Sequence, residues 1–383
     1  MRERRITMKN IFHYIWFITF SGIGGFFLSL TGLPIGWMIG TLLTATFLSI
    51  FRPKFLSVAL LHQNGIPKYW LYLGQCLLGI ELGQKVNSSV FYIFFENWPT
   101  ITIMLLLSIF FSLLSGIVLW KYSKLDMLSS FFATAPGGLS SIPGIAEEVG
   151  ANTGVVSIIQ AMRVFLVILT IPVIISFFFG HSGLDVNKSI IVTEPITFEI
   201  NQLTMTFVYV LIAWIGYKIV KFMKIPAPWL IGSMISVATF KSFGSMFIGY
   251  DLMAWWPHTF IILSQIFIGA SIGSRFHKNM FIGIYKTLFV SFLSTIGLIL
   301  FMFICAYFVS TITDISFITA GLAFAPGGIA EMTTTALVLH GDATFVVAVQ
   351  VLRVVTVCIT LPPFFRFLKY VKVKKKTQSH VSA

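Results

Sequence analysis

The sequence predicts an all-α, polytopic membrane protein. About ten transmembrane helices are expected in two inverted five-helix repeats, each with a re-entrant Ala-Pro-Gly-Gly hairpin. Three observations lead there. Of the 383 residues, 57% are hydrophobic and 10% are charged, and the mean hydropathy is +0.91, whereas a soluble domain carries roughly 25% charged residues. The apolar residues form continuous blocks of about 20, the length that crosses a bilayer, not the alternation of a barrel strand. A set of unusual residues also recurs at fixed spacing in the second half of the chain. The composition excludes a cytosolic enzyme, a secreted disulfide scaffold and a disordered chain.

The first span, about 11–30, follows Arg2, Arg4, Arg5 and Lys9. That basic flank also suits a signal peptide, but the long run and the second span opening at Pro34 favour a retained helix. Spans at 34–51 and 226–247 open on prolines, which fit a first helical turn whose N–H groups are unpaired anyway. Spans at 69–84 and 258–274 carry Gly79-x-x-x-Gly83 and Gly269-x-x-x-Gly273, small-residue faces for close packing. Spans at 98–120 and 287–310 are uninterrupted, and 202–217 matches the first. Spans at 153–179 and 343–366 each hold a Gln-x-x-Arg. Segments 126–149 and 316–339 are broken by Ala-Pro-Gly-Gly, where proline removes a donor and glycine loosens the backbone. Trp37, Trp229, Trp98, Trp255 and Trp256 lie at span ends, as interfacial anchors do.

The net charge of +13 decides the orientation. With the N-terminus inside and each broken segment entering and leaving on one side, 21 of the 26 Lys and Arg fall in inner loops and tails. If the broken segments crossed, Lys218, Lys221, Lys224, Arg275, Lys278 and Lys286 would face outward, against the positive-inside bias. The expected organisation is a cytoplasmic N-terminus (1–10), a first membrane repeat (11–180), an extracellular linker (181–201), a second repeat (202–368) and a basic cytoplasmic tail (369–383). The tail is a leaflet-binding signal, so no nucleic acid is expected as a partner.

The duplication is read directly. Leu33-Pro34-Ile35-Gly36-Trp37 answers Ile225-Pro226-Ala227-Pro228-Trp229, at an offset of 192. Gln75, Gly79 and Gly83 answer Gln265, Gly269 and Gly273 at 190, and Gln160, Arg163 and Pro172 answer Gln350, Arg353 and Pro362 at the same offset. Five spans per half is odd, so the second half enters from the opposite side. Inverted repeats with interrupted helices near the midplane are a transporter architecture.

At the blocks Ala135-Pro136-Gly137-Gly138 and Ala325-Pro326-Gly327-Gly328-Ile329-Ala330-Glu331-Met332, each followed by Gln-x-x-Arg, the chain resembles the AbrB family of bacterial inner-membrane proteins. The resemblance covers nearly the whole chain. It implies two copies of one domain, placement in the bacterial cell membrane, and two older family labels: ammonia monooxygenase and regulator of AidB expression. The first copy departs from the pattern, with Ser141 where Glu331 stands. Oxidation chemistry needs clustered ligands, and the seven histidines are scattered. Neither enzymatic activity nor a cofactor nor a metal is therefore expected. Cys76, Cys305 and Cys358 read as small buried hydrophobes.

The candidate substrate-binding residues are Gly137, Gly138, Gly327 and Gly328 at the hairpin tips, with Gln160, Arg163, Gln350 and Arg353. In hydrocarbon, irregular backbone survives only against protein or a water-filled cavity. Freed amides at a half-helix start favour an anion, and freed carbonyls at the preceding end suit Na⁺ or H⁺. The alternative is a pair of packing kinks. Each Arg sits about 15 Å into its span, where a guanidinium must be paired or face water. It can clasp an oxyanion or pair with Glu331 or Glu147. Glu331, Thr134, Ser140 and Thr333 are the ion-coupling candidates, and Glu81 reads as a locally hydrogen-bonded group. The expected function is an ion-coupled secondary transporter of a small, anionic organic solute. Its partners would be the bilayer, that solute, Na⁺ or H⁺, and further copies of the chain. The other reading is a membrane regulator of gene expression without transport.

Overall fold

A computed structural model describes residues 8–33, 35–51, 65–86, 92, 95–123, 125–136, 146, 150–179, 200–223, 225–248, 252, 254–281, 283–357 and 360. Every regular element among them is helical: α1 (Met8–Ser29), α2 (Gly36–Phe51), α3 (Lys68–Lys85), α4 (Trp98–Tyr122), α5 (Met127–Thr134), α6 (Thr153–Phe179), α7 (Ile200–Phe222), α8 (Pro228–Ile248), α9 (Thr259–Gly273), α10 (Tyr285–Ile312), α11 (Phe317–Phe324), α12 (Ile329–Val338) and α13 (Ala343–Val357). A 3₁₀ turn, Lys278–Phe281, precedes α10.

Five helices, within α1, α4, α6, α7 and α10, are long and apolar enough to cross a membrane. Large apolar side chains such as Phe27, Ile103, Phe207 and Leu293 stand exposed on them, as lipid-facing surface requires. α2, with 16 residues, spans only about 24 Å. The sequence expectation ended α7 at 217, but the helix continues to Phe222. Its lysines do not stop it, because long stems let the ammonium reach past apolar surface: Lys218 Nζ lies 3.9 Å from the centre of the Trp214 ring.

The helices sort into two bundles. α1 packs on α2 and α7 on α8; α2 packs on α9 and α3 on α8, with α3 against α9 between them. The second bundle joins α4 to α5 and α10, α10 to α6 and α11, and α5 to α6. Lipid gives apolar helices no hydrophobic reason to associate, so close contact depends on small residues. A Cβ at Gly79 would stand 2.5 Å from the Leu230 carbonyl, and one at Gly83 would stand 2.7 Å from that of Met234. In the matching place, Gly269 and Gly273 meet the Met38 and Leu42 carbonyls at 2.8 and 2.6 Å. Each glycine pair of one half therefore grips a proline-opened helix of the other.

Polar contacts recur at the same offset. Asp126 caps α5 by accepting from the Ser129 N–H at 3.0 Å, and Ser316 caps α11 by accepting from that of Thr319 at 3.3 Å. The Ser129 hydroxyl accepts from the Asn152 N–H at 2.8 Å, and that of Thr319 from the Asp342 N–H at 3.0 Å. Both partners lie 190 residues on, although none of the side chains is identical.

Candidate functional site

The helix breaks leave carbonyls without donors. Pro136 and Pro326 have no N–H and cannot continue α5 and α11, so the last carbonyls of each helix lose their intrahelical partners. The Gln-x-x-Arg of the next long helix replaces them. On α6, Gln160 Nε2 donates to the Phe132 carbonyl at 2.9 Å, and Arg163 Nη1 donates to those of Thr134 and Ala135 at 2.9 and 3.0 Å. On α13, Gln350 Nε2 donates to the Leu322 and Ala325 carbonyls at 2.8 and 3.2 Å. Arg353 Nη1 also donates to the Ala325 carbonyl, and its Nη2 donates to the Gly327 carbonyl at 3.0 Å and to Gln350 Oε1.

These bonds answer the sequence expectation that freed carbonyls would be open to a cation: the guanidiniums already hold them. Among the described residues neither arginine has a carboxylate in ion-pair range; the ion pair present joins Lys85 to Glu81 at 2.7 Å. Glu81 is thus a local group, as its sequence suggested. Arg163 is 4% exposed and Arg353 1%. A helix C-terminus offers about half a negative charge, so each cap compensates its guanidinium only in part. Among the described residues the Nε of both arginines and the Gln160 Oε1 are buried without a hydrogen-bond partner, an arrangement that costs about 1–3 kcal/mol per group.

At the second tip, Gly328 precedes α12. A Cβ there would lie 3.0 Å from Glu331 Oε1, so the carboxyl folds back over the glycine. Arg275, just past α9, attracts it. Glu147, the other acid considered for the arginines, lies outside the described residues. The Thr333, Thr334 and Thr335 hydroxyls donate to carbonyls four residues back, at 2.6, 2.7 and 2.8 Å. Thr134 likewise donates to the Ser130 and Phe131 carbonyls. Of the expected tip residues, Gly137, Gly138 and Ser140 fall outside the described residues.

α12 touches α11 and α6 on one side and α3 and α9 on the other. Beside its start a cavity of about 300 Å³ opens between the bundles. Lys68, Lys221, Arg275 and Glu331 line it. Trp229 forms part of its wall, stacked on Tyr217 with centroids 3.8 Å apart and 12° between planes. Trp229, which the sequence placed as an interfacial anchor, is half-buried and stacked on Tyr217. Ala227, also on the wall, has a φ of 49°.

The sequence profile of the family described as "Transition state regulatory protein AbrB" matches residues 37–369. The chain belongs to the AbrB family. Two relatives agree along almost their full lengths. It is 49% identical over 370 residues to "Uncharacterized protein YhjN" of Bacillus subtilis (strain 168), covering 96% of each chain. It is 24% identical over 341 residues to "Putative regulator AbrB" of Escherichia coli (strain K12), covering 86% of this chain and 94% of the relative. In this AbrB-family chain the duplicated motif is a matched pair of helix caps. The cavity was not legible from that motif. Its cations come from the ends of three helices, and only their shared place among inner-loop charges hinted at a common side.

Proposed function

We propose that the chain is an ion-coupled secondary transporter of a small organic anion in the bacterial cell membrane. The solute site lies where the two Ala-Pro-Gly-Gly tips meet near the midplane. The observation that carries this reading is the pair of buried guanidiniums, Arg163 and Arg353, each capping a helix end and each with an Nε that, among the described residues, has no hydrogen-bond partner. A bound oxyanion would answer those donors. In this reading ten spans form two inverted repeats with re-entrant hairpins and cytoplasmic termini. The hydrogen bonds that recur at an offset of 190 residues support it. One bundle moves against the other, with α12 and its cavity at their boundary. Glu331, Thr134, Ser140 and Thr333 remain the coupling candidates, and no catalytic step is assigned. The test is uptake by the purified protein in liposomes, across carboxylates, amino acids and phosphonates, with a pH or Na⁺ gradient. Saturable, gradient-driven uptake of an anion is expected; none across the panel sinks the reading.

The descriptions of the family and of the Escherichia coli relative favour a second reading, a membrane regulator of gene expression that moves no solute. Deleting the gene would then alter transcription with the same magnitude whether or not any anion is supplied.

A further inference from the structure

The cavity at the start of α12 has features the arginine caps do not use. At about 300 Å³ it lies at the lower end of ligand-pocket sizes, so it suits a small metabolite. Its charge is unbalanced: Lys68, Lys221 and Arg275 face a single carboxylate, Glu331. Glu331 lies in the first turn of α12 and answers that helix's N-terminal charge, so the cations are left in excess. Among the described residues the Arg275 guanidinium makes no hydrogen bond or ion pair, although Glu331 attracts it. Lys221 Nζ donates to the Tyr217 hydroxyl at 3.0 Å, which ties one cation to the aromatic wall. The rest of that wall is Trp229, stacked on Tyr217 and facing Tyr72 at 6.1 Å with 22° between planes. The cavity is thus lined both by three cations and by stacked aromatic rings.

We infer that this cavity binds a small aromatic carboxylate of the benzoate type. The carboxylate lies against Arg275 and Lys221, and the ring lies along Tyr72 and Trp229. A short carboxylate such as acetate would leave the rings without contact, and a neutral aromatic would leave the cations unanswered. Because the site is built from both bundles, ligand bound there contacts α3 and α8 on one side and α12 on the other. The inference rests on the anion reading above and names the class of anion, but binding is measured without transport.

The test is equilibrium binding of radiolabelled benzoate to the purified full chain in detergent micelles. Saturable binding is expected. Excess phenylacetate should compete; acetate, benzyl alcohol and phenylalanine should not. Arg275→Gln should weaken binding about tenfold or more, the usual loss when a charged hydrogen-bond partner is removed. Lys221→Gln, on an exposed side chain, leaves the fold intact and should weaken binding several-fold. The inference is overturned by absence of saturable binding, by equal competition from benzyl alcohol or phenylalanine, or by variants that bind like wild type. Uptake of a different anion without benzoate binding sinks this inference and spares the transporter. Specific benzoate binding without uptake of any anion does the reverse.

Discussion

Arg353 donates to the carbonyl of Gly327 at 3.0 Å, across a proline at which the helix had to stop. The same guanidinium holds the Ala325 carbonyl at the end of α11. One side chain of α13 therefore ties the end of one half-helix to the residues that lead into the next. Arg163 holds the end of α5 at the Thr134 and Ala135 carbonyls. In a membrane, where no water reaches such carbonyls, these bonds let the chain break at all.

Removing a cap should therefore be felt as stability before function. Gln350→Leu frees the Leu322 carbonyl and leaves Ala325 to Arg353 alone. A loss of about 2–4 kcal/mol is expected from one to two unpaired buried groups. Gln160→Leu frees the Phe132 carbonyl and should cost about 1–3 kcal/mol. Thermal unfolding in detergent reads both. Equal, negligible shifts would mean the caps are incidental.

The glycines divide by what surrounds them. Gly79→Val should disrupt the α3–α8 contact, because even its Cβ would sit 2.5 Å from the Leu230 carbonyl. Gly297 meets nothing within 4 Å, so Gly297→Ala should gain about 0.5–1 kcal/mol from reduced backbone entropy. Melting temperatures that move in the same direction for both would remove the packing argument.

Ala227 holds a left-handed φ of 49° between two prolines. Left-handed backbone costs an L-residue about 1–2 kcal/mol, so Ala227→Gly should raise the melting temperature. A fall would mean that the Ala227 methyl contributes more by contact than its backbone loses by strain.

The orientation is tested at residues whose expectation comes from charge alone. A cysteine at Ser189 should react with an impermeant thiol reagent in intact cells, while one at Thr377 should be protected. The opposite pattern would reverse the positive-inside assignment.

Much of this was legible in the sequence. The duplication located both breaks and both Gln-x-x-Arg motifs, because proline and arginine are rare enough in apolar spans to align by eye. Gly79, Gly83, Gly269 and Gly273 stood out as packing faces for the same reason. The partners of Arg353 were not legible as carbonyls. Sequence pairs charges with charges, so Glu331 and Glu147 were weighed as partners, and a backbone acceptor has no letter. The cavity was hidden because Lys68, Lys221 and Arg275 are distant in the chain and ordinary as loop cations. The stacking of Trp229 on Tyr217 was not legible either, because the two lie on different helices and share no motif.

If the two capped guanidiniums hold a solute anion, anion uptake into liposomes should distinguish wild type from Arg163→Lys and Arg353→Lys, with folded protein matched by size-exclusion profile. Lysine keeps the charge but loses the planar fork that satisfies a cap and an oxyanion together. Saturable uptake is expected for wild type, with a loss of apparent affinity of about tenfold or more in each Lys variant. Uptake by wild type that both substitutions leave unchanged would contradict it.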